Sequence, residues 1–472
     1  MNEGEPAPRP PYESPRAERP TGAAGTARDL QPGRLDPYAA FRFTGYRFFA
    51  LGNFFSVIGR QMLSIAVGWE VYQRTHSATA LGLVGLVAAL PLILLAIPAG
   101  HAADRFERKT ILLLNQLMSA ATSLGLAALA LEHNRIPASR ALLFADSILN
   151  RIASLCERNG HFHFDPGIPL MLLLLLISGA GRVFGWAARG AFMPNLVPAH
   201  SFSNAVTWNS SILQVSSVLG PAMGGFLIAR FGFPAVYTFD ATCAGLFFCC
   251  LLPIHAPQKH EKTETPGLRN LFSGLRFVWG TKIILATITL DLFAVLLGGA
   301  TALLPIFADQ ILHRGAIGLG WMRAAPAMGA FVMAVALAHH PPKHAGKTML
   351  WAVLGFGMAT IVFGLSKSFW LSLLMLSLTG ACDNISVVVR HSLVQLLTPD
   401  EMRGRVSAVN NVFIGSSNEL GAFESGITAA LFGPVLSVVG GGIGTIAVVL
   451  AVMATWPQVA RFGSLERQPA GK

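Results

Sequence analysis

The chain has 472 residues, of which 53% are hydrophobic and only 12% charged, with a mean hydropathy of +0.53. Soluble domains carry about 25% charged residues. This composition therefore excludes a soluble globular protein and implies segments that satisfy their own backbone in lipid. The formal net charge of +11 does not point to nucleic acid, because the basic residues are scattered over the ends of apolar runs, where they mark cytoplasmic loops beside anionic lipid.

A membrane β-barrel would need short alternating strands, whereas these apolar runs are long and continuous, so the chain is read as helical. Cys243, Cys249, Cys250 and Cys382 lie within apolar spans and Cys156 stands alone in a loop. With no CxxC and no paired spacing they form no disulfide or metal framework. No cleaved leader is expected, since the first apolar run, from near Phe48, is too long for one.

In chain order, residues 1–40 are proline-rich and poor in large apolar residues, and read as a disordered cytoplasmic tail. Apolar spans follow at approximately 47–71, 80–102, 110–131, 168–189, 205–229 and 233–254. After a polar, basic linker at 256–281 come 282–306, 317–338, 348–366, 369–390, 405–432 and 434–457. The predicted organisation is a six-helix bundle over 41–255, a second over 282–460 and a short tail, 461–472.

Placing the N-terminus inside puts Arg105, Arg108, Lys109, Lys347, Arg403 and Arg405 in cytoplasmic loops, so both termini are expected there. The outer side receives one long loop, the insert 132–167. Within it Leu143, Ile148, Ile152 and Leu155 share a helical face that suits the membrane surface. His133, His161 and His163 flank that stretch without a convergent further ligand, and read as surface histidines; no metal and no cofactor is expected.

An internal repeat ties the halves together. HAADRFERKTILLL returns as HHPPKHAGKTMLWA, matching His101 to His339, Lys109 to Lys347 and Thr110 to Thr348. LVPAHSFSNAVTWNS aligns with LTPDEMRGRVSAVNN, matching Pro198 to Pro399 and Asn209 to Asn410. Duplicated six-helix bundles are what these matches imply.

The turn Gly100-His-Ala-Ala-Asp104-Arg105-Phe-Glu-Arg108-Lys109 resembles the loop signature GxLADRxGRK of the major facilitator superfamily, with Glu107 in place of its second Gly and Ala102 in place of Leu. Gly220-Pro221-Ala-Met-Gly224-Gly225 resembles that superfamily's GPxxGG antiporter motif, associated with exporters. From Phe48 to Arg461 the chain is similar to the drug:proton antiporter branch that includes enterobactin exporters and macrolide-efflux-like proteins.

The resemblance implies an all-α fold of twelve transmembrane helices in two pseudo-symmetric bundles, a monomer in the cytoplasmic membrane. It also implies export of a drug, a macrolide-like molecule or a siderophore in exchange for protons. An importer or facilitator of a polar metabolite is the alternative on the same fold. A conformational switch is expected at Gly100, Asp104, Arg105, Arg108 and Lys109, and a hinge at Gly220, Pro221, Gly224 and Gly225. Asp104 should lie near the start of span eleven and near Arg105, Arg108 or Arg189 when the cytoplasmic side is closed.

Ionisable groups near the bilayer centre cost ~2.5–3.5 kcal/mol on insertion scales, so they mark function or internal pairing. Asp291 and Glu419 are mid-span with no charge four positions away, and with Glu424 they are the candidates for proton coupling. Arg60, Gln61 and Arg182 are candidates for counter-charge or substrate contact. Asp383 and Arg390, seven apart on one span, suit a structural network. No HExxH, GxSxG or phosphate-cradling loop is present, so no enzyme is expected.

Overall fold

The computed structural model describes residues 36–132, 144–151, 167–255, 268–340, 342, 344–399, 402–460 and 463, and its compact unit begins at Tyr38. Most of the predicted tail 1–40, the tail 461–472 apart from Gly463, and Cys156, His133, His161 and His163 lie outside the described residues. Of the predicted surface helix in the long loop, 144–151 is helical.

Among the described residues, twelve spans carry the fold, eleven of them long helices and one, α7, interrupted. The first six are α1 (Thr44–Thr75), α2 (Ala78–Arg105), α3 (Arg108–Leu131), α4 (Gly167–Phe192), α5 (Ala199–Phe231) and α6 (Phe233–Leu251). The second six are α7 (Lys282–Ile311), α8 (Gly315–His339), α9 (Ala345–Leu365), α10 (Phe369–Leu397), α11 (Arg403–Phe432) and α12 (Pro434–Thr455). Among the described residues, all but α11 are long and apolar enough to span a bilayer by composition alone. At 30 residues α11 is about 45 Å long, and it falls short in composition because it carries Arg403, Arg405, Glu419 and Glu424.

The helix pairings repeat between halves. In the first, α1 packs on α5 and α6, α2 on α4, and α3 on α4 and α6; in the second, α7 packs on α11 and α12, α8 on α10, and α9 on α10 and α12. Two seams join the halves, α2 with α11 and α5 with α8, and a two-fold exchange of halves turns one into the other. The register that matches Pro198 to Pro399 also matches Gly225 to Gly426, and that which matches His101 to His339 also matches Gly82 to Gly320. The structure brings Gly225 against Gly320 and Gly426 against Gly82.

The turns are duplicated as well. Gly232 (φ +78°) and Gly433 (φ +89°) end α5 and α11 in left-handed conformations that a side chain disfavours, and Pro234 and Pro434 open the next helices. Ser77 caps α2, its Oγ accepting from the Ala80 amide at 3.0 Å.

Two expectations change in the structure. The charged stretch after span two is not a loop: α2 runs on through Arg105, and α3 begins at Arg108. The apolar core of α2 ends earlier, and its last turn, at the water interface, tolerates charge. Span seven is not a single helix. It stops at Gly298, passes through Gly299 into a 3₁₀ turn at Ala300–Leu303, and closes with a π-helical turn at Phe307–Ile311. Within the linker Leu268–Gly280 forms a helix, and Gly274 in it lies against the Arg405 backbone of α11.

Candidate functional site

The antiporter-like motif uses two faces of α5. A Cβ on Gly220 would sit 2.5 Å from Gln61 Cβ and 3.1 Å from Ile58 O, and one on Gly224 would lie 3.2 Å from Met62 Cα, so both face α1. At the next residue, about 100° round the helix, a Cβ on Gly225 would meet Ala316 O at 2.5 Å and Gly320 Cα at 2.9 Å. On Gly320 itself it would meet Pro221 O at 2.7 Å. The motif thus joins α5 to its own half on one side and to the other half on the other. Close backbone approach of this kind replaces side-chain burial, which gives little driving force between helices in lipid.

The pseudo-equivalent seam is built alike. A Cβ on Gly82 would lie 3.0 Å from Phe423 O and 3.2 Å from Gly426 Cα, and one on Gly85 2.7 Å from Ala422 Cβ. Further links between halves are Gln214 Nε2 to Ala327 O at 2.7 Å and Tyr72 OH to Asp309 Oδ2 at 3.4 Å. All these contacts lie at mid-helix or beyond it, away from the α2–α3 turn.

At that turn the predicted switch residues do different things. Arg108 donates from Nη1 to Ala191 O (2.9 Å), and Lys109 Nζ to Leu252 O (2.8 Å) and Ile254 O (2.9 Å), fastening the turn to α4 and α6 of its own half. Asp104 and Arg105 are exposed, and Asp104 makes no hydrogen bond or ion pair among the described residues. Space around Gly100 is open. The contact expected for Asp104 with the start of α11 or with an arginine is not made in this conformation.

The mid-membrane charges are paired between helices rather than along them. Arg182 Nη2 of α4 meets Glu419 Oε1 of α11 at 3.3 Å, an ion pair across the two halves with side chains 42% and 28% exposed. Asp291 of α7 pairs with the fully buried Arg390 of α10. Asp291 and Glu419, which have no charge four positions away along their own spans, each have a partner supplied by a helix distant in sequence. Arg390 is the repeat counterpart of Arg189, whose guanidinium lies over the Phe247 ring at 5.6 Å from its centroid.

Around the Arg182–Glu419 pair, Arg60 is within electrostatic reach of Arg182, and Arg323 within reach of Glu419. Arg60 Nη2 donates to Ser56 Oγ (3.1 Å) and Gln61 Nε2 to Ser217 Oγ (3.1 Å). Glu424 is half-buried one turn further along α11, with no ion pair among the described residues. Asp291 faces a small cavity together with Asp383 and Ser386. The structure thus gathers Arg60, Arg182 and Glu419 in one place and sets Asp291 in another.

Two buried carboxylates were not among the sequence candidates. Asp240 of α6 accepts from Ser123 Oγ at 2.6 Å and lies within reach of Arg60. Glu70 of α1 pairs with Arg74 and accepts from Tyr237 OH. Each carried a signal: Asp240 is a lone acid in an apolar span, and Glu70 stands four residues before Arg74, a helical pairing distance.

The profile of the Major Facilitator Superfamily matches residues 49–422. The chain is 27% identical over 431 residues to the enterobactin exporter EntS of Citrobacter koseri, over 90% of this chain and 94% of that one. To EntS of Escherichia coli O1:K1 / APEC it is 25% identical over 424 residues, 88% and 93% of the two chains. Among solved structures, a D-xylose–proton symporter superposes with a TM-score of 0.66 at 14% identity, over 88% of this chain and 98% of that one. A bacterial homologue of the human lysosomal transporter Spinster, inward-facing and occupied, gives 0.64 at 14% identity, over 92% and 100%.

Proposed function

Because the chain belongs to the Major Facilitator Superfamily and so is a multi-pass membrane transporter rather than an enzyme, we propose that it exports a small amphiphilic compound across the cytoplasmic membrane by alternating access, in exchange for protons. The ion pair Arg182–Glu419 carries this reading. It lies at mid-helix on both partners, it joins one half to the other, and both side chains are partly exposed, so that with water in reach the carboxylate can load and release a proton. Protonation of Glu419 removes the attraction to Arg182, so proton occupancy biases the contact between halves and with it the two-state equilibrium.

A siderophore is the cargo we favour among drug, macrolide-like molecule and siderophore. The curated relatives named above export enterobactin, and the basic excess of Arg182 and Arg323 around Glu419 suits a substrate with acidic groups. In this assignment both termini and the α2–α3 turn are cytoplasmic and the chain acts as a monomer. The state described is closed at its outer end, and Asp104 closes the inner end in the opposite state. Asp291, held by Arg390, is then an architectural charge, and Glu419 is the coupling site.

The test is uptake of labelled enterobactin into inverted vesicles under an imposed pH gradient, acid inside. Accumulation that needs the gradient and is lost in Glu419→Gln is expected. Accumulation only in right-side-out vesicles would make the protein an importer, and accumulation indifferent to the gradient would remove proton exchange.

A further inference from the structure

The duplication is broken at one lysine. In the first half Lys109 folds back and its ammonium donates to Leu252 O and Ile254 O at the end of α6. Its counterpart Lys347 does not repeat this. In the second half the chain returns after α12, a short helix at Pro457–Ala460 contacts α9, and Gly463 O accepts the Ala345 amide at 3.1 Å. Lys347 projects outward, exposed and without a hydrogen bond or ion pair among the described residues.

It projects over an open groove of about 550 Å³ between α9 and α10. His344 and Lys347 stand at one end, Trp351 (72% exposed) forms the rim, and Cys382 and Ile385 of α10 form the apolar wall. Since α9 and α10 are membrane spans, the groove opens sideways into the bilayer, with its basic end at the interface and its apolar floor deeper.

We propose that this groove binds an anionic phospholipid from the leaflet that meets the basic loops. The phosphate is held by Lys347 and His344, and the upper acyl chain lies along Trp351 and Ile385. Charge complementarity selects the occupant. An ammonium that no described residue binds, at a membrane interface, attracts anionic headgroups, and an indole at headgroup depth suits the boundary between glycerol and chain. A soluble anion would gain nothing from the apolar wall, whereas a lipid fills both ends. Lys109, tied to two carbonyls, leaves the first half without such a site, so one lipid per chain is expected.

The experiment uses the full chain, exchanged into mild detergent containing equal amounts of phosphatidylglycerol and phosphatidylcholine, with retained lipid read by native mass spectrometry. The wild type is expected to keep phosphatidylglycerol in preference. In Lys347→Gln the preference should fall about five-fold, the effect of one basic residue at an anionic surface, and it should fall further with His344→Gln added. Lys367→Gln, in the turn at the opposite end of the α9–α10 hairpin, should keep the wild-type preference, and millimolar inorganic phosphate should displace nothing. An unchanged preference in the double variant, an equal fall in Lys367→Gln, or displacement by phosphate overturns the proposal. If the double variant does not reach the membrane, wild-type protein with a photo-reactive phosphatidylglycerol decides. Cross-links on the segment 344–352 support the site, and cross-links confined elsewhere overturn it.

Discussion

Replacing Gly225 by alanine puts one methyl group into a seam that has no room for it. The new Cβ would lie 2.5 Å from Ala316 O and 2.9 Å from Gly320 Cα. Both are backbone atoms, so no flexible side chain can give way. Overpacking of this kind costs ~1–3 kcal/mol. Because α5 and α8 belong to different halves, the strain falls only on the conformation in which this end is closed. The equilibrium should therefore move towards the opposite state by about five- to 150-fold.

Gly426→Ala should do the same, since its Cβ would overlap Gly82 and come within 2.8 Å of Ala78 O at the pseudo-equivalent seam. Gly220→Ala is the contrast. Its Cβ would meet Gln61 and Ile58 of α1, in the same half, so it should lower thermal stability with little change in the equilibrium. Spin-label distances across the two ends, measured in nanodiscs, report the populations. Unchanged distances in both Gly225→Ala and Gly426→Ala, or an equal shift in Gly220→Ala, would refute the view that these glycines serve closure between halves.

Four further outcomes follow from the charges and the hinge. Asp291→Asn strands the buried Arg390 guanidinium and should cost ~3–5 kcal/mol of stability, read as a lowered unfolding midpoint in detergent; Asp291→Asn with Arg390→Gln should recover most of it. Glu419→Gln should abolish export driven by a pH gradient while ligand binding, by calorimetry, persists. Asp104→Asn should leave the protein in the membrane and slow turnover about two- to five-fold, the loss of ~0.3–1 kcal/mol for a carboxylate beside a helix N-terminus in the state closed at the α2–α3 end. Pro221→Ala should make transport leaky, with substrate moving in both directions in vesicles without a gradient; normal directional kinetics would return the proline to plain packing.

How much of this was readable beforehand depends on the range of the interaction. Twelve spans, the repeat and the antiporter-like motif are local patterns: an apolar run of bilayer length has one stable solution in lipid, and a duplicated turn keeps its residues wherever the helices go. Arg182 and Glu419 could be picked out one at a time, because any charge inside a span is costly. That they neutralise one another could not, since they lie on α4 and α11 and no sequence spacing connects them. The same holds for Asp291 and Arg390, and for the pairing of Asp240 with Ser123.

By itself, then, the sequence determined that the chain lives in a membrane, in two related sets of six helices, and set the expectation that its basic loops share one side. The physical reason is that hydrophobic length and loop charge act on each segment separately. Only the tertiary structure decided which charges meet, which face of α5 turns to the other half, and that no described residue binds Lys347 where Lys109 is bound to two carbonyls. Those depend on where distant helices cross, and in lipid the crossings are set by a few small residues whose partners no local pattern names.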